Sequence, residues 1–200
     1  MTSTAKASPA MGKTQRIAGM AVFTAIVIVL QLLGSFIRFG PFSISLVLVP
    51  IVIGAALYGS GAGAWLGFVF GAVVILSGDA AAFLAISVPG TVVTCLAKGA
   101  LAGLGAGCIY RLIEKKNATV ATAAAAVVCP VINTGVFLIG CRLFFIETVA
   151  AWGAAAGFEN VGTYMIVGFV GVNFLVEMAV NVVLSPVIVR LIRTAKNMRS

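Results

Sequence analysis

Residues 91–112, TVVTCLAKGALAGLGAGCIYRL, decide the fold. At ~1.5 Å per residue this stretch is long enough to cross the ~30 Å hydrocarbon core of a bilayer. Lys98 is the one full charge inside it, well before the basic cluster Arg111, Lys115 and Lys116 that closes it. The helix from Lys98 to Arg111 is ~20 Å long. With the cluster at one surface, Lys98 therefore lies in the outer half of the membrane. An ammonium at such depth costs about 2.5–3.5 kcal/mol on the insertion scale, so it needs a partner, either another protein group or an anionic ligand. Gly99, Gly103 and Gly107 follow at four-residue spacing and give a face on which a second helix approaches closely. The stretch predicts a tightly packed scaffold below Lys98 and a polar cavity above it.

The rest of the chain agrees with this reading. Of its 200 residues, 62% are hydrophobic and 9% charged, which is the composition of an integral membrane protein with room for one compact bundle and no separate soluble domain. The formal net charge is +8. The cations flank apolar runs instead of forming a patch interleaved with aromatics, so they set topology and do not mark a nucleic-acid surface. Histidine is absent, which removes His-dependent triads and the commonest metal ligand and proton shuttle. Cys95, Cys108, Cys129 and Cys141 sit in apolar runs without CxxC spacing and read as inert thiols, not as a disulfide or metal set.

Taken in order, residues 1–15 form a polar tail, 16–194 a single all-α bundle of six transmembrane helices, and 195–200 a basic tail. The first span, 17–37, is longer than the ~7–15 apolar residues of a signal peptide. It carries Ala21 and Ala25 four apart, on a face that either docks a partner helix or meets lipid. RFGPFSIS, 38–45, breaks the pattern at Gly40–Pro41. A short second span, 46–58, turns without charge at 58–63 into a third, 62–76, bearing Gly63, Gly67 and Gly71. Residues 77–90, with Asp79 and Pro89, read as a loop before the Lys98 helix. The fifth span, 120–145, holds Pro130, an expected kink, and Asn133 near mid-depth. An outer connection, 147–164, leads to the sixth span, 165–191, where Asn173, Glu177 and Asn181 make a polar stripe at i, i+4 and i+8. The sequon Asn117-Ala118-Thr119 is discounted because Lys115 and Lys116 place it on the cytoplasmic side. Arg38 and Arg142 fall outside with Asp79, Glu147 and Glu159, and most other cations fall inside. That asymmetry predicts an even number of crossings with both termini cytoplasmic.

Glu177 precedes Arg190 by the same helical length that separates Lys98 from Arg111, so the two opposite charges share one depth. A structural ion pair is one reading. Cavity lining is the other, and it draws support from Asn133, Asn173 and Asn181, since a lone pair needs no extra amides. A pocket of this mixed polarity suits a small polar organic solute, with Lys98 taking its carboxylate or other anionic group. Catalytic constellations, clustered carboxylates for a metal, and the phosphate-cradling GxxxxGK[ST] do not occur, so the chain reads as a non-enzyme without a cofactor. A self-sufficient ion-coupled carrier of a small anionic solute, with Lys98 and Glu177 as relay, stands as the alternative, although the sequence shows no internal repeat.

The chain resembles the substrate-binding S components of energy-coupling-factor (ECF) vitamin transporters from Arg16 to about Arg193. The resemblance rests on Ala21-Val-Phe-Thr-Ala25, on Gly40-Pro-Phe-Ser-Ile-Ser-Leu46 with Pro50-Ile-Val-Ile-Gly-Ala55, on Tyr58-Gly-Ser-Gly-Ala-Gly-Ala64, and on the Lys98–Tyr110 cation and small-residue ladder. It implies a six-helix protein of the bacterial cytoplasmic membrane that binds a vitamin at its outer face. It further implies association with a transmembrane coupling subunit and two cytoplasmic ATPases, and inward delivery by tilting. Ala21 and Ala25 would then dock on the coupling subunit. The pocket would draw on Arg38 and Phe42 of the first outer loop and on Lys98, Asn133, Asn173 and Glu177. The helix-four cation with Asn133-Thr134 is most similar to pantothenate-type members. Lys98 and Ala97 stand where that pattern has Arg and Pro, which keeps riboflavin and folate-type solutes open.

Overall fold

A computed structural model describes residues 12–35, 38–39, 42–43 and 46–197. Its frame is six apolar helices: α1 (Lys13–Gly34), α2 (Leu48–Tyr58), α3 (Ser60–Leu76), α5 (Val88–Ile113), α6 (Ala118–Phe144) and α9 (Gly171–Asn197), with the short α4 (Ala81–Leu84) between α3 and α5. Four of them, α1, α5, α6 and α9, are long and apolar enough to cross a membrane, and α2 and α3 are shorter. Ile17, Val29, Val93, Ile139 and Val183 are among the large apolar side chains exposed around the outside of the long helices. Such a surface suits hydrocarbon as its solvent, because each helix satisfies its own backbone there.

Local chemistry sets the helix boundaries. Gly59 ends α2 and opens α3 at φ 101°, a left-handed conformation that side chains rarely adopt. Ser87 caps α5 by accepting from the Gly90 amide at 3.2 Å, with Pro89 in the first turn, where its missing N–H costs nothing. Asn117 caps α6 by accepting from the amides of Thr119 and Val120 at 2.9 and 3.1 Å. That gives the discounted sequon a structural role.

The centre of the bundle is the α3–α5 contact, built from the two glycine series. A methyl group on Gly63 would strike the carbonyl oxygen of Gly103, one on Gly67 that of Gly99, and one on Gly71 that of Cys95. Gly107 lies against Ser60 in the same way. The helices therefore meet backbone to backbone along the whole ladder, which only glycine permits. Around this seam Leu48, Ile51, Leu66, Phe70, Tyr110 and Ile188 form the main core. α1 lies against it through the Trp65 indole N–H, which donates to Thr24 Oγ1 at 3.2 Å. A second, aromatic core of Phe83, Phe137, Phe145 and Phe169 closes the other end.

The basic residues gather at one end. Arg16 donates to the Tyr58 carbonyl at 3.0 Å, Arg193 to Thr119 Oγ1 at 2.7 Å, and the Arg111 guanidinium lies beside Gly59.

Several boundaries differ from expectation. α1 starts at Lys13, so the polar tail is shorter than residues 1–15, and α9 reaches Asn197. The stretches read as outer loops contain helices: α4 after α3, and α7 (Ile146–Ala155) and α8 (Val161–Thr163) after α6. The last span is interrupted. A π-helical segment, Tyr164–Phe169, precedes Val170, whose amide donates to the Met165 carbonyl at 3.2 Å, and α9 begins only after it. Pro130 stands inside α6 without ending it. Arg38–Phe39 and Phe42–Ser43 form a two-residue antiparallel ladder, Arg38 opposite Ser43 and Phe39 opposite Phe42.

Candidate substrate site

Above the glycine seam, at the end remote from the basic residues, the helices part around a cavity. Water centres range over about 70 Å³ of it. At ~10–15 Å³ per water that is room for about five waters, or for a compact organic molecule. α3 contributes Phe70 and Val74, and the segment after it contributes Asp79, Ala80 and Phe83. α5 contributes Cys95 and Lys98, and α6 Asn133, Thr134 and Phe137. Val170 closes the π-helical segment, and α9 brings Asn173 and Glu177. A π turn widens the helix by one residue per turn, and such turns recur at functional sites.

Lys98, Asn133, Asn173 and Glu177, all anticipated from the sequence, thus meet on one cavity. The Lys98 ammonium stands over two aromatic faces, 5.6 Å from the centroid of Phe70 and 5.2 Å from that of Phe137. Each ring face carries negative quadrupole density and offsets part of the ammonium's desolvation. Rings hold a cation without neutralising it, so an anion entering the cavity finds a positive charge already positioned. Glu177 is buried, accepts from Asn173 Nδ2 at 3.2 Å, and through its backbone carbonyl accepts from Asn181 Nδ2 at 2.8 Å. Asn181 is fully buried behind Glu177 and takes no part in the lining. The polar stripe of α9 therefore divides into two lining residues and one that braces them. The Oδ1 atoms of Asn173 and Asn181 have no hydrogen-bond partner among the described residues.

Two residues that the sequence reading did not assign to the site belong to it. Asp79, read as an outer-loop charge, lines the cavity, and its Oδ2 accepts from Gln31 Nε2 at 2.7 Å. Gln31 is buried in the middle of α1. A glutamine inside an otherwise apolar span was the available signal, because such a group needs an internal partner. The aromatic wall was also missed. Phe83, Phe137 and Phe169 stack among one another and against Trp152 at the cavity's outer edge. The side chains of Arg38 and Phe42 lie outside the described residues. Ala21 and Ala25 are exposed on the outer face of α1. The four cysteines are free, with Cys95 at the cavity and Cys108 exposed.

A helical multi-pass membrane protein with a small, charged, aromatic-walled cavity buried among its helices belongs to the class that holds a polar solute within the membrane. Residues 15–189 match the family model of the ECF transporter substrate-specific component, and the chain belongs to that family. It is therefore a transport subunit, the one that confers substrate specificity. No curated protein matches it.

Proposed function

We propose that this chain captures a small water-soluble vitamin at the outer face of the bacterial cytoplasmic membrane and delivers it inward. Delivery proceeds by tilting together with a transmembrane coupling subunit, driven by two cytoplasmic ATPases. The observation that carries this is the position of the cavity, around Lys98 and remote from the basic end of the bundle. With that end cytoplasmic, as the positive-inside rule requires, the cavity opens toward the side from which nutrients arrive. In this reading α2 and α3 complete six crossings and both termini are cytoplasmic. Lys98 pairs with the solute's anionic group, and Asn133, Asn173 and Glu177 supply hydrogen bonds. Arg38 and Phe42 cover the entrance from the first outer loop. Pantothenate is the favoured solute, as a compact carboxylate of suitable size, with riboflavin and folate-type compounds next.

The exposed Ala21–Ala25 face of α1 docks the coupling subunit. Ala21→Trp and Ala25→Trp should abolish uptake by the assembled transporter while leaving solute affinity within about twofold, because both residues face away from the cavity. Normal uptake in these variants would remove the docking assignment.

Vesicle reconstitution tests the dependence on partners. The chain alone should bind solute yet accumulate none under an ion gradient, and accumulation should begin when the coupling subunit and ATPases are present with ATP. Gradient-driven uptake by the chain alone would establish instead the carrier in which Lys98 and Glu177 relay an ion.

A further inference from the structure

The cavity wall opposite Lys98 is rich in acceptors. Asp79 comes from the segment after α3, and Glu177 and Asn173 come from α9, so two separate elements bring three acceptor groups to one small space. Gln31 fixes the Asp79 carboxylate by a 2.7 Å hydrogen bond reaching across from α1. Asn173 is fixed by donating to Glu177, which leaves its Oδ1 buried without a donor among the described residues. An orphaned buried acceptor costs free energy until a donor reaches it, and a buried carboxylate costs more. A solute that brought only an anion would pair with Lys98 but add a third negative charge beside Asp79 and Glu177. One that brought only donors would leave the cation over Phe70 and Phe137 without a counter-charge.

We propose that the cavity reads its solute at two ends: a carboxylate or similar anion at Lys98, and hydroxyl, amide or amine donors at the wall formed by Asp79, Asn173 and Glu177. Gln31 acts as the positioning residue for that second end. This deepens the substrate-binding reading and rests on it. It narrows the solute to acids that carry donors, including zwitterions, and it excludes simple carboxylates and plain cations.

The test is equilibrium binding to the purified full-length protein in detergent, with a panel sorted by chemistry. Pantothenate and biotin supply an acid with donors, and nicotinate supplies an acid without them. Pyridoxine and riboflavin supply donors without an acid, and thiamine supplies a cation. The tightest ligand should be an acid with donors. Its analogue with the donors replaced by hydrogen should bind about 100-fold more weakly, since a site built to hydrogen-bond a group rejects the analogue lacking it. Asp79→Asn and Glu177→Gln should each weaken the same ligand about tenfold, because hydrogen bonds to charged acceptors are the stronger ones. A tightest ligand lacking either end, or full affinity in both variants, overturns the two-ended recognition and leaves the substrate-binding reading standing. Failure of every compound to bind overturns both. The panel uses the unaltered protein, so the inference stays testable even where a variant does not fold.

Discussion

Gly67→Val should prevent this protein from folding stably, whereas Gly61→Val, six residues earlier on the same helix, should leave it unchanged. A Cβ at Gly67 meets the carbonyl of Gly99 and the amide nitrogen of Ala100, which are backbone atoms of the facing helix. Side chains yield to overpacking by changing rotamer, at about 1–3 kcal/mol, but a helix backbone has no rotamers to change. The α3–α5 seam would have to open along its length, and its tight van der Waals packing is what holds helices together where lipid offers no hydrophobic drive. The expected loss is at the top of that range or beyond it. Gly61 has nothing within 4 Å of its would-be methyl. Gly103→Val should repeat the Gly67 result, because its methyl would strike the carbonyl of Gly63. Size-exclusion profiles and thermal melts in detergent read the outcome. A monodisperse, normally melting Gly67→Val protein would show that the helices do not pack as described.

Phe83→Ala should produce the second large effect. Phe83 is 6% exposed and sits at the hub of the outer aromatic core. Its ring centroid lies 5.0 Å from Phe145, 5.6 Å from Phe137, 5.7 Å from Trp152 and 6.2 Å from Phe169. It is also the one buried residue of α4, so the attachment of that four-residue helix depends on it. Removing a buried phenylalanine costs about 3 kcal/mol or more. For a chain of this size that corresponds to a Tm lower by about 6–12 °C. Because Phe83 and its neighbours Asp79 and Ala80 also line the cavity, solute affinity should fall as well. Amide exchange across residues 77–87 should rise well above that of α5. An unchanged melt with unchanged exchange would mean that α4 is held by something other than this ring.

The site residues that the sequence disclosed were those whose chemistry is out of place in hydrocarbon. Lys98, Asn133, Asn173 and Glu177 interrupt apolar spans, and an ionic or amide group at that depth must face a partner or a cavity. Helix length then placed Lys98 and Glu177 level with each other without any tertiary information. Asp79 escaped because it lies in a stretch with the composition of a loop. Its return to the cavity depends on the segment being drawn inward by Phe83, a contact between rings far apart in sequence. Gln31 was visible as an anomaly in α1, but its partner was not, for the same reason. The glycine series on α3 and α5 announced close packing, while their mutual register, Gly63 against Gly103 and Gly67 against Gly99, is a property of two helices together. α7 was legible in principle. IETVAAWGAA is alanine-rich and carries Glu147 in its first turn, where an acid favours the helix dipole. Its position between two long spans made it read as a connection.

The central claim is that solute binds in the cavity at Lys98, and the most direct test is the ligand-induced thermal shift of the wild-type protein beside that of Lys98→Ala. Binding stabilises by RT ln(1 + [L]/Kd), about 4 kcal/mol at ~1,000 Kd, which is a shift of several degrees. The solute chosen is the one that most stabilises the wild-type chain. The ligand-free melts of the two proteins should be close, because Lys98 makes its described contacts with the Phe70 and Phe137 faces and truncating it removes a buried charge. The shift with solute should be large in the wild type and absent in Lys98→Ala. A variant that is folded and still stabilised by the same solute to the same degree would contradict the account and place the binding site elsewhere in the bundle.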